Sequence, residues 1–169
     1  MRLRPAIASS LVGCLALACA SANGPSTSTA QPSPPSWSGN LQPTQQRSGA
    51  LVVTGQTKAF GSVRITPVDG SGMLRYRVAV TVSLPISVST SVRWAILPER
   101  CGSGELPVIG FEQFPLIEVS SNGRGQLTTE LPMQLTAGGS YHVNVYYGGQ
   151  QLDNVVTCGN LRFDEGTPG

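Results

Sequence analysis

The chain has 169 residues, 12% of them charged, with eleven basic and nine acidic side chains and a formal net charge of +2. Arg2 and Arg4 account for two of the basic groups, which leaves nine basic against nine acidic residues from Ser21 onward. That balance excludes the broad basic surface that nucleic acid requires, and the length beyond the N-terminal segments, about 120 residues, allows one domain with one core.

Met1 to Arg4 carries two arginines, and Pro5 to Ala18 is uncharged and mostly Ala, Leu, Val and Ser. This is the n-region and h-region pattern of an export signal. At about 14 residues the apolar run falls short of the roughly 20 needed to span a bilayer, so residues 1–19 are expected to be a cleaved signal peptide. Ala16-Leu17-Ala18-Cys19 resembles the lipobox of bacterial lipoproteins, with an alanine where leucine is usual. The resemblance implies lipidation of Cys19 and a membrane partner. Leu11-Val12-Gly13-Cys14 fits the box better but leaves an h-region of only about nine residues, so Cys14 is the second choice. Simple cleavage after Ala20 or Ala22 is the other reading.

Residues 20–47 are dominated by Ser, Pro, Gln, Thr, Asn and Gly, with a single charge at the end. Such a segment buries too little apolar surface to offset the entropy of ordering it, and the expectation is a disordered tether. Trp37 alone does not suit a spacer; it is read as an isolated exposed aromatic with no role, or else as a residue that packs back on the domain or touches a partner.

From residue 48 the pattern becomes short strands separated by turn residues. Leu74, Tyr76, Val78, Val80 and Val82 alternate with Arg75, Arg77, Ala79, Thr81 and Ser83, a period of two that a helix could not use. Val63, Ile65 and Pro67 alternate in the same way, and Asp69-Gly70-Ser71-Gly72 between the two runs reads as a hairpin connection. Further strands are expected at Ala50–Val53, Ser91–Leu97, Leu116–Val119, Gly125–Leu131, Tyr141–Tyr147 and Val155–Leu161. Ser120-Ser121-Asn122-Gly123 and Ala137-Gly138-Gly139 mark turns. About eight strands without an amphipathic helical window predict an all-β, antiparallel β-sandwich over residues 48–164, with 165–169 as a flexible tail.

Four cysteines are present. If Cys14 leaves with the signal and Cys19 takes lipid, Cys101 and Cys158 remain as an even pair in an oxidising compartment. One disulfide is the economical inference, with two buried free thiols as the alternative. The bond would stabilise the fold by about 4 kcal/mol in the chain-entropy model.

The stretch Trp94-Ala95-Ile96-Leu97-Pro98-Glu99-Arg100-Cys101-Gly102, with Phe114-Pro115-Leu116-Ile117, Gly139-Ser140-Tyr141-His142-Val143-Asn144-Val145 and Cys158-Gly159, resembles the copper/zinc superoxide dismutase-like and chordin-type β-sandwich domains of secreted proteins. The resemblance covers roughly Gly61 to Arg162 and implies a Greek-key sandwich. In the dismutase-like enzymes a His-x-His pair precedes the first cysteine and a further histidine follows the later strand. Aligned without gaps, these positions hold Ala95, Leu97 and Tyr146. The loop that would carry zinc ligands, Gly102 to Phe114, contains no histidine and no aspartate, and Val155 stands where an arginine would guide an anionic substrate. The expectation is a domain without metal, cofactor or catalytic activity.

Other chemistry finds little in the residues. His142 is the only histidine, so a histidine-rich metal site is excluded by count. A triad of His142, Asp153 and a serine lacks a Gly-x-Ser-x-Gly elbow. Glu99, Glu105 and Glu112 have no spacing that specifies a shared face, and they read as solvated loop charges. Arg64, Arg75, Arg77 and Arg93 fall on strands and would form a basic stripe for an anionic group such as a polysaccharide carboxylate if their strands were neighbours; the plainer reading is an ordinary solvent face. Leu106, Val108, Ile109, Phe111 and Phe114 crowd one connection, and would be a partner loop if exposed or a cover over an open sheet edge if not. The sequence therefore points to a non-catalytic binding or structural module of the cell envelope or a secreted protein, meeting an envelope protein or polysaccharide. The alternative is an envelope enzyme or metal-handling protein with a rearranged site around His142.

Overall fold

The alternation from Tyr76 to Ser83 is realised as a strand in which Tyr76, Val78, Val80 and Val82 are buried while Arg77, Ala79, Thr81 and Ser83 face outward. A computed structural model describes residues 33–48, 51–56, 58–68, 74–147 and 154–166. Its strands in chain order are β1 (Ser36–Pro43), β2 (Gln45–Ser48), β3 (Leu51–Gln56), β4 (Phe60–Pro67), β5 (Tyr76–Ser83), β6 (Thr90–Pro98), β7 (Ile117–Val119), β8 (Arg124–Leu131), β9 (Tyr141–Tyr146), β10 (Val155–Asn160) and β11 (Arg162–Asp164). No α-helix occurs among the described residues; a single 3-10 turn spans Phe111–Gln113.

Every strand pairing is antiparallel. Around the main sheet the order is β10-β9-β6-β7-β8-β5-β4-β1, and β1 bonds back to β10, so eight strands close into a barrel with β11 as an extra strand on β1. The expected β4/β5 hairpin is present in full register, from Phe60 opposite Ser83 to Pro67 opposite Tyr76; its expected turn, Asp69 to Gly72, lies outside the described residues. The turn at Ser120–Gly123 forms as expected. Gly123 takes the left-handed φ of 78° there, and its N–H donates to the Ser120 carbonyl at 2.8 Å, a conformation glycine adopts without a Cβ penalty.

Two expectations are corrected by β1. The sheet is a closed barrel rather than an open sandwich, and the segment assigned to a tether supplies the strand that closes it. Trp37, Gly39 and Leu41 of β1 face inward on a period of two; Trp37 is 3% exposed and Leu41 is fully buried. Along its N-terminal half β1 pairs with β11 and along its C-terminal half with β10, in one continuous register from Ser36 opposite Asp164 to Pro43 opposite Thr157. β4 lies on its other side. Closure removes the edges that an open sheet would leave with unpaired N–H and C=O groups. The residues from Gln31 onward form one compact unit, so the boundary drawn at residue 48 falls inside the fold. The strand expected at Ala50–Val53 appears as β3, paired only with β2 in a separate two-stranded ribbon. Residues 1–32 of the signal and tether assignments, together with 167–169 of the tail, lie outside the described residues.

The barrel interior holds one core, in which Trp94, Ile96, Val143, Val145, Ile65 and Val78 are almost completely buried. The Trp37 ring meets Tyr76 edge-on at 5.6 Å between centroids and Phe163 at 4.7 Å. Trp94 donates its indole N–H to the Pro115 carbonyl at 2.7 Å, so a large apolar side chain also satisfies its one polar atom.

Candidate functional site

The cysteines form the expected disulfide, Cys101–Cys158, with Cα atoms 6.0 Å apart. Its position defines the site. Cys158 lies on the outer face of β10, and Cys101 begins the long connection from β6 to β7, so the bond ties that connection over the outside of β6, β9 and β10. β7 is only three residues long and pairs with β6 at Thr90–Val92. Beyond Val92 that edge of β6 meets the connection instead: the Val108 N–H donates to the Ile96 carbonyl at 3.0 Å.

The face beneath this cover is set by the alternation of side chains along strands. Leu97 stands opposite His142, Ala95 opposite Asn144 and Arg93 opposite Tyr146; on the other side of β9, Asn160 stands opposite His142, Cys158 opposite Asn144 and Val155 opposite Tyr146. The positions that the dismutase-like alignment assigns to copper ligands, Ala95, Leu97 and Tyr146, therefore share one face with the only histidine. Ala95 and Leu97 are buried, His142 is fully buried, and Asn144 and Tyr146 are nearly so. Phe111 packs edge-on to Tyr146 at 5.6 Å and under the Arg93 guanidinium at 5.6 Å.

His142 Nδ1 lies 3.2 Å from the Glu99 carbonyl oxygen, and Glu99 adopts a positive φ of 63° at the corner where the chain leaves β6. A carbonyl can only accept, so Nδ1 carries the proton and Nε2 is left with its lone pair; no protein group partners Nε2 among the described residues. Burial lowers the His142 pKa below its ordinary value, opposed by the Glu99 and Pro98 carbonyls. Asn144 donates to the Tyr146 hydroxyl at 3.4 Å, and its own Oδ1 has no partner. Burial raises the Tyr146 pKa, with the Asn144 contact opposing. Neutral imidazole, phenol and amide thus meet on one covered face. Among the described residues no group of three or more His, Cys, Asp or Glu side chains is placed to hold a metal.

The five apolar residues of the connection do not form an exposed patch. Phe114 is buried against Trp94 at 5.1 Å between rings, and Val108, Ile109 and Phe111 pack partly buried on the core; only Leu106, at 83% exposure, faces solvent. Glu99, Glu105 and Glu112 are exposed. The four arginines do not form one stripe. Arg77 pairs with Glu130 at 3.0 Å and Arg75 with the same carboxylate at 4.0 Å, Arg93 sits over Phe111 on the covered face, and Arg64 lies on β4 in a row with Ser38 and Arg162. Asp153, Cys14 and Cys19 fall outside the described residues.

Two site residues escaped the sequence reading. Asn160 Oδ1 accepts the Cys101 N–H at 2.9 Å and so fixes the start of the cover, while Asn144, opposite Ala95, donates to the Tyr146 hydroxyl two positions along the same strand. The polar Asn144 between Val143 and Val145 was the available signal, since a strand buried on both faces has little use for an amide. The chain matches no family model, no curated protein and no solved structure.

Proposed function

We propose that this chain is a non-catalytic, extracytoplasmic β-barrel module, related to the dismutase-like and chordin-type domains, that serves in binding or structure and is held at the envelope by lipid on Cys19. The observation that carries this reading is the filled face under the Cys101–Cys158 connection: Ala95 and Leu97 bring methyl and isobutyl groups where the family's enzymes bring imidazoles, and packed side chains occupy the space. Kinship in fold draws support from strand order. β6, β7 and β8 run consecutively and β9 returns beside β6, which is the spatial order of a Greek key.

The unpartnered Nε2 of His142, close in register to Asn144 and Tyr146, favours a second reading, in which the covered face handles a metal with a rearranged set of ligands. Elemental analysis of the purified chain after exposure to copper and zinc, followed by dialysis, separates the two. An empty, folded protein is the expected result; about one equivalent of retained metal, lost in His142→Asn, would overturn the non-catalytic reading.

A further inference from the structure

A groove of the barrel lies on the opposite side of β10 from the covered face, along the outer surface of β1 and β4, and its volume is about 1020 Å³. That is the upper end of the range for small-molecule sites and suits a chain of linked units better than one small ion. Two register rows build it. Arg162 on β11, Ser38 on β1, Arg64 on β4 and Ala79 on β5 stand side by side, and next to them Asn40, Ser62 and Thr81 form a parallel row, with Asn160 also lining the groove. With strands about 4.8 Å apart, the two arginines are separated by roughly 10 Å across Ser38.

Arg64 and Arg162 are exposed, and neither makes an ion pair among the described residues. No carboxylate lines the groove. The nearest candidate on the same strand as Arg162, Asp164, turns its Oδ1 to the Gly166 N–H at 3.0 Å. This contrasts with Arg75 and Arg77, which share Glu130, although the chain as a whole has equal numbers of acids and bases from Ser21 onward. The other polar side chains are hydroxyls and primary amides, which both donate and accept. Large aromatic and exposed aliphatic groups, which would form the buried centre of a protein interface, do not line the groove. Small side chains at its floor, Ser38 and Ala79, leave room for a bound chain.

From this arrangement we infer that the groove binds an acidic polysaccharide, with Arg64 and Arg162 engaging carboxylates on the chain and Ser38, Asn40, Ser62, Thr81 and Asn160 hydrogen-bonding its hydroxyls. The inference rests on the binding-module reading above but not on the state of the covered face, so the metal measurement and the experiment here fail independently.

The test is titration of the purified full-length protein with oligogalacturonate, its methyl-esterified counterpart, and phosphatidylglycerol vesicles, each at low and high salt. Oligogalacturonate is expected to bind, to weaken as salt rises, and to lose at least roughly tenfold in affinity, about 1.4 kcal/mol, in the double variant Arg64→Gln/Arg162→Gln. Both positions are exposed, so the variant keeps its melting temperature. Absence of binding by the wild type, equal binding of the methyl ester, or an unchanged affinity in the double variant would each overturn the inference. Vesicle binding without oligogalacturonate binding would overturn it in favour of a lipid surface.

Discussion

His142 is held as a neutral imidazole by two opposed influences: burial under the Cys101 connection disfavours the cation, and the Glu99 and Pro98 carbonyls favour it without prevailing. In the unfolded chain the same residue titrates near 6.5. Below that value the unfolded state takes up a proton that the folded state resists, so its contribution to stability is complete above about pH 6.5 and is lost as pH falls toward the lower folded pKa. Urea unfolding of the wild type should therefore give a lower midpoint at about pH 5.5 than at about pH 7, a window above the range of ordinary carboxylates. His142→Asn, which keeps a donor toward the Glu99 carbonyl but does not titrate, should flatten that difference; a slope that persists in the variant would remove His142 as its source. Tyr146 works at the other end of the scale. Its raised pKa means that the unfolded phenol ionises first, so stability should fall as pH rises beyond about 10, and Tyr146→Phe should reduce the fall.

β1 shows how a strand hides in a polar sequence. Its outward residues, Ser38, Asn40 and Gln42, and its closing Pro43 read as a spacer, and only Trp37 and Leu41 carry apolar bulk. Two buried side chains suffice because β1 lies in a closed ladder, where bonds to β4 on one side and to β10 and β11 on the other replace water at nearly every backbone group. Composition measures apolar content and misses this source of order. By contrast, β4, β5 and β9 were legible because their apolar residues alternate along the strand, and the Cys101–Cys158 pair was legible by count. The covered face was only half legible: the alignment placed Ala95, Leu97 and Tyr146 together, but the partners Asn144 and Asn160 depend on cross-strand register, which no local pattern states. Trp37→Ala tests the weight of β1. It removes the contacts to Tyr76 and Phe163 and should cost about 3–5 kcal/mol of unfolding free energy; a loss below about 1 kcal/mol would mean that β1 is not part of the cooperative unit.

At the level of the whole molecule, the disulfide and the N-terminus decide how the barrel is held together and where it is held. Cys101 and Cys158 are 57 positions apart, and a loop of that length contributes about 4 kcal/mol, a large share of a typical net stability of about 5–15 kcal/mol. Cys101→Ser/Cys158→Ser should lower the unfolding free energy accordingly, read by denaturant titration under oxidising conditions, whereas an unchanged midpoint would show that the cover is held by packing alone. The start of β1 at Ser36 also shortens the linker available to a lipid anchor. From Cys19 to Ser36 a fully extended chain reaches ~60 Å at most, roughly three-fifths of what a tether running to residue 47 would give, so an acylated N-terminus would keep the barrel close to its bilayer. On that reading Cys19→Ser should move the protein from the membrane fraction to the soluble fraction while Cys14→Ser leaves it in place. The reverse pattern would assign the lipid to Cys14, and a soluble wild type would replace the anchored module with a freely secreted one.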